Sequence, residues 1–171
     1  MEEQVKKESK AGYTIKRIGG YLHKVSPIVD QTGKVLSHAV TPFMVELKPR
    51  DIMQIIVGST ILAIPVGFTE ETWLLAERLP LRNIMALTAI SLLFIAAFVY
   101  YNFYRFHIRE HLFQYLKRVI SIYLLSLLVV ALLMTIIDKC PWGVDNLLAI
   151  KRVIIVAFPA SMSAAVSDML K

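Results

Sequence analysis

Only one cysteine, Cys140, stands among the 171 residues. A lone thiol excludes an internal disulfide, a cysteine metal cluster and a paired redox centre. Glycine and proline are scarce, seven of each, and neither occurs between residues 81 and 140. Nothing in that interval breaks a helix. The first fifty residues hold no apolar run able to form the core of a cleaved signal peptide. Acidic residues are outnumbered, 13 against 19 basic ones. The chain has no phosphate-binding loop, no nucleophile with a credible base and no full set of metal ligands. It is therefore not expected to be an enzyme, and no catalytic residue, metal or cofactor is expected.

Apolar sequence fills the remainder. It makes up 56% of the residues, with a mean hydropathy of +0.58, too much for an ordinary soluble domain. Four long apolar stretches cover residues 52–68, 83–106, 119–137 and 153–167. A hydrocarbon layer of about 30 Å takes roughly 20 residues of helix, and no soluble fold of this size could bury four helices lacking a polar face. The expected fold is an all-α membrane protein. It has four transmembrane helices, about 52–76, 83–108, 112–138 and 150–169, behind a cytoplasmic segment of residues 1–50.

Charge sets the expected orientation. Placing both termini inside puts fourteen of the 19 basic residues on the cytoplasmic side, which favours N-in, C-in across the inner membrane. The +6 net charge then faces anionic lipid, and no nucleic-acid partner is needed to explain it. Within the leading segment, residues 21–29 and 34–40 flank Asp30-Gln-Thr-Gly33 and predict a β-hairpin. Pro27 should confine its strand to an edge, and residues 43–47 are a candidate third strand. Trp73 and Trp142 suit the outer interface, and Tyr100, Tyr101, Tyr104 and Tyr115 the inner one.

His107-Ile-Arg-Glu110-His111 has the spacing of an inverted zinc-peptidase motif, H-x-x-E-H. No glutamate follows Glu110, and Arg105 and Arg109 would repel a metal ion. The segment is better explained as a basic interfacial turn, with His107 and His111 as candidates for gating or pH sensing. Small residues repeat every four positions in the first span (Ser59, Ala63, Gly67). They do so twice in the fourth (Ala157, Ser161, Ala165; Ala160, Ala164, Asp168), a spacing that lets helices approach closely in lipid. Pro65 and Pro159 fall at similar depths in these two spans. Each frees a carbonyl that either contributes to an ion site or is satisfied locally. Glu70, Glu71 and Asp138 gather near the outer surface, where they either recruit a cation or simply sit in headgroup water.

The stretch Pro65-Val-Gly-Phe68-Thr69-Glu-Glu71-Thr-Trp73 resembles the signature of an uncharacterised family of prokaryotic integral membrane proteins, P-x-x-[FY]-T-x-E-x-W. The resemblance implies a multi-span inner-membrane protein and supplies no substrate.

Two functions compete on these residues. The first is an oligomeric cation or proton channel or transporter. Glu70, Glu71, Asp138 and Thr69 would recruit the ion, and Ser59, Thr60, Pro65, Pro159, Ser161 and Ser163 would line its path. The second is a non-transporting adaptor or scaffold whose hairpin binds a cytoplasmic partner. The expected partners are membrane lipids, further copies of the chain and a small cation.

Overall fold

The computed structural model describes residues 14–18, 21–29, 35–42, 48–104 and 112–170. The chain divides into two units, residues 1–46 and 47–171. In the first, β1 (Thr14–Ile18), β2 (Tyr21–Val29) and β3 (Val35–Pro42) form an antiparallel sheet in the order β1-β2-β3. The expected hairpin is β2 with β3, and β1 adds a strand beyond it. β2 is consequently the central strand rather than an edge. Pro27 is tolerated there because the pairs with β1 reach only Val25, so that Pro27 lies opposite His38 of β3 alone. The turn at residues 30–34 and the candidate strand at 43–47 lie outside the described residues.

The second unit comprises α1 (Pro49–Gly67), α2 (Glu70–Arg78), α3 (Leu81–Val99), α4 (Leu112–Ile136) and α5 (Asn146–Met169), with a π-helical turn at Tyr100–Tyr104 continuing α3. Four segments are long and apolar enough to cross a membrane: α1, α3 with its π turn, α4 and α5. Patterning in α4 shows how such a helix sits. Arg118, Ile122, Ser126, Val130 and Met134 are buried, whereas Ile120, Leu124, Leu128, Leu132 and Ile136 are exposed. Both faces run at a spacing of four, and the outward one is as apolar as the inward. In water that face would be polar; here lipid is its solvent.

Helix α5 is the hub, packing against α1, α2, α3 and α4. Its alanines and serines account for this, since small side chains let backbones come close where packing drives association. Ser59, Ala63 and Gly67 of α1 are buried, as are Ala157, Ala160, Ser161, Ala164, Ala165 and Asp168 of α5. The spacing of small residues thus marked the contact faces correctly. The two helices are antiparallel: a Cβ at Gly58 would meet Ser167 and Ala164, and one at Gly67 would approach Val156. α1 and α4 run parallel, with Asp51 beside Arg118 and Ser59 beside Ser126.

The first span ends sooner than the expected 52–76. α1 stops at Gly67, and α2 starts after an extended residue, Thr69, with ψ 131°. The terminal carbonyls find local donors, which removes the cost of stopping there. Phe68 N reaches Ile64 O at 3.2 Å, Thr69 Oγ1 reaches Val66 O at 2.6 Å, and the Trp73 indole donates to Gly67 O at 2.9 Å. The third span closes at Ile136, two residues before Asp138, whose φ of 56° is left-handed, a conformation aspartate tolerates at helix ends. The fourth begins four residues before the expected 150, because the Asp145 side chain accepts from Leu148 N at 2.9 Å and caps α5.

Candidate functional site

Three helices end their buried faces in a charged residue at the same end of the bundle. Asp51 is the third residue of α1, Arg118 lies in the second turn of α4, and Asp168 is next to last in α5. Arg118 and Asp168 are fully buried, and Asp51 is 2% exposed. The guanidinium grips Asp168 with both prongs, Nε to Oδ2 at 2.7 Å and Nη2 to Oδ1 at 2.8 Å. Nη2 also reaches Asp51 Oδ2 at 3.3 Å, and that oxygen accepts from Lys48 N at 3.1 Å.

The energetics differ between the two acids. Asp51 sits in the first turn of its helix, where the backbone dipole favours a carboxylate; Asp168 sits in the last turn, where the dipole opposes one. The planar fork of Arg118 offsets both that opposition and the cost of desolvation. The ring of Phe103 covers one face of the cation, with Cζ 4.0 Å from its centroid, a further stabilising contact in a dry site.

Tyr104 completes the site, and the π turn is what delivers it. In α geometry a residue five positions after buried Val99 would stand about 140° round the helix. Hydrogen bonding from i to i+5 brings it back toward the same side. Tyr104 is accordingly fully buried, its hydroxyl against Arg118 and its ring edge-on to Tyr115 at 5.3 Å. It is a core residue and not the interfacial tyrosine that its neighbours suggested. Tyr100 and Tyr101 remain exposed.

The residues singled out in the sequence fall elsewhere. Glu70, Glu71 and Asp138 are exposed at the opposite end, since α4 alone carries about 27 Å between Arg118 and Ile136. Thr69 Oγ1 is also 2.6 Å from Thr72 Oγ1. The antiparallel register of α1 and α5 sets Pro65 and Pro159 at one level, but Pro65 is exposed and Pro159 half-buried. Ser59 does meet a partner: its hydroxyl lies 3.0 Å from that of Ser126, about 12 Å along the helices from the charged cluster. Thr60 and Ser161 donate to carbonyls of their own helices, Ile56 O at 2.8 Å and Phe158 O at 3.0 Å. Ser163 is half-buried. His107 and His111 lie outside the described residues.

All three charged residues lie within one stretch that matches a known family, described as Putative integral membrane protein (DUF2391), over residues 29–170. The chain belongs to this family. No curated protein and no solved structure matches it. The matched stretch takes in β3 and all four apolar spans of this chain, in keeping with the family's description. It excludes β1 and all but the last residue of β2.

At the far end, cations tie loops to helices. Arg152 donates to Lys139 O at 2.7 Å and to Glu77 Oε1 at 2.8 Å, and Lys151 donates to Leu79 O at 2.8 Å. Cys140 is buried beside them, outside the spans. Burial pushes its thiol above the ordinary value, only partly opposed by Arg152. Its alkylation by iodoacetamide should therefore be slower in the folded protein than in the unfolded chain, because the thiolate is the nucleophile. Raising the pH toward and beyond the thiol pKa should narrow the gap, as mass spectrometry of timed aliquots will show.

Proposed function

We propose that this chain is the subunit of an oligomeric cation or proton channel or transporter of the inner membrane, gated at Arg118, Asp51 and Asp168. One observation carries the reading: a guanidinium and two carboxylates, at most 2% exposed, sit where three membrane-spanning helices meet. Charges in that setting are costly, and they mark ion pathways, proton relays and gates. Two acids sharing one cation also give alternative pairings. Asp168 holds firmly, while the longer contact to Asp51 can release α1 without stripping Arg118 of its partner.

Beyond the Ser59–Ser126 pair the described interior is mainly apolar, built from Ala63, Val130, Met134, Val156, Ala157 and Ala160, and the buried Ser161 there spends its hydroxyl on Phe158 O of its own helix. An ion path therefore runs between copies, not through one bundle, and the charged cluster controls it by locking α1 to α4 and α5. In the N-in, C-in arrangement favoured by the basic residues, this gate faces the cytoplasm.

Flux into vesicles tests the reading. Purified protein in liposomes should pass at least one of H⁺, Na⁺ and K⁺ faster than protein-free vesicles do. Asp51→Asn should raise the resting flux several-fold while thermal unfolding shows the bundle intact. Folded protein that passes none of the three ions removes the proposal.

The adaptor reading is favoured by the separate N-terminal unit with its own sheet. Deleting residues 1–46 separates the two. Transport by the remaining membrane unit supports the channel, whereas an inert membrane unit, with loss of the cellular role on deletion, supports the adaptor.

A further inference from the structure

Parallel helices α1 and α4 leave a groove of about 570 Å³ on the outside of the bundle, lined by Ile56, Thr60, Phe68, Leu125, Leu132 and Ile137 among others. Such a volume suits a small-molecule site of about 300–1,000 Å³. The hydroxyl of Thr60 is already bonded to Ile56 O, so the groove asks for apolar matter only. From Ile56 to Phe68 it runs about 18 Å at 1.5 Å per residue. That is about three fifths of a hydrocarbon core of about 30 Å. The lining residues run from the middle of α1 and α4 to their ends at Phe68 and Ile137, about the reach of one leaflet's acyl chain.

Its mouth is charged. Ile137 is followed by Asp138 and Lys139, and Phe68 by Thr69, Glu70 and Glu71. The Lys139 ammonium is fixed 4.1 Å over the Trp73 ring, and the Trp73 indole is bonded to Gly67 O beside Phe68. The three acids are exposed, and no ion pair within the described residues engages them or Lys139. One anchored cation among three free carboxylates complements a headgroup that carries a phosphate and a protonated amine. We infer that this groove binds a zwitterionic phospholipid with a primary amine. The phosphate rests on Lys139, the ammonium donates to the acids, and one acyl chain lies between α1 and α4. A quaternary amine has no N–H to donate to the carboxylates. A purely anionic headgroup would be repelled by them.

Native mass spectrometry of the full chain tests this, with phosphatidylethanolamine, phosphatidylcholine and phosphatidylglycerol of identical acyl chains added in turn. The ethanolamine lipid should be retained about tenfold better than either of the others. Lys139→Gln should lower that retention about fivefold, the factor of one charge contact at a membrane surface. Thr60→Trp should fill the groove and abolish retention of all three. Leu132→Trp, on the exposed face of α4, does the same if the first variant does not fold. Equal retention of the three lipids, preference for the choline or glycerol lipid, or retention that survives a filled groove would each overturn the assignment. Ion flux enters none of these readouts.

Discussion

Arg118→Met should destabilise the transmembrane unit by about 3–5 kcal/mol, the usual consequence of removing one partner from a buried ion pair. Methionine approximates the length of arginine and adapts to irregular space, so the loss reflects charge more than a cavity. Asp168 then remains in a dry site without its cation, and Asp51 loses one of its partners. Asp51 keeps the Lys48 amide at 3.1 Å, but Asp168 loses both short bonds at the unfavourable end of its helix. Arg118→Lys should cost less, about 1–2 kcal/mol, because the charge stays while the two-pronged grip and the stacking on Phe103 are lost. Combining Arg118→Met with Asp51→Asn and Asp168→Leu should recover at least half of the loss, since apolar replacement of a whole buried charge set is often neutral. Reversible unfolding in detergent, followed by circular dichroism, measures all three. A stable Arg118→Met protein would show that the cluster does not hold the helices together, and the proposed gate would go with it.

Nothing local in the sequence marks the three charged residues as a cluster. Arg118 follows Lys117 near a loop and counts as one more basic residue, and Asp51 looks like an ordinary helix start. Asp168 stands out only as the last member of the series Ala160, Ala164, Asp168. The signal was nevertheless there. Arg118 begins the buried series Ile122, Ser126, Val130, Met134, and Asp51 begins one through Ile55 and Ser59. Extending each buried stripe to the end of its helix puts all three charges on inward faces. Which ends then meet depends on tertiary register, and one chain's periodicity carries no information about that. The four spans and the α1–α5 contact face were legible because lipid and close packing each impose a period on a single helix. The break after Gly67 was not, since its decisive bond, from Trp73 to Gly67 O, spans six residues and two helices. The π turn was equally hidden: its sequence, Tyr-Tyr-Asn-Phe-Tyr, has no glycine or proline to announce it, and Arg118, the neighbour of Tyr104, lies on another helix.

Gly58→Ala is the other substitution with a large expected effect, about 1–3 kcal/mol of destabilisation by overpacking. An ideal Cβ there would stand 2.4 Å from Ser167 Oγ, 2.5 Å from Ser167 Cβ and 3.0 Å from the Ala164 Cα. Rotating the serine relieves the first contact only, and the others require the α1 and α5 backbones to part. Alanine is intrinsically the better helix former by about 1 kcal/mol, so net destabilisation would mean that helix contact outweighs propensity. Parting these helices has a second consequence, because Ser167 adjoins Asp168 and Gly58 lies seven residues from Asp51. A shift large enough to seat the methyl group would lengthen the 3.3 Å contact from Arg118 to Asp51 before disturbing the two-pronged grip on Asp168. Gly58→Ala should therefore raise ion leak in the same direction as Asp51→Asn. Adding Ser167→Gly, which removes two of the three clashing atoms, should restore part of both stability and gating. Full wild-type stability and leak in Gly58→Ala alone would mean that the close approach of α1 and α5 does not position the charged cluster.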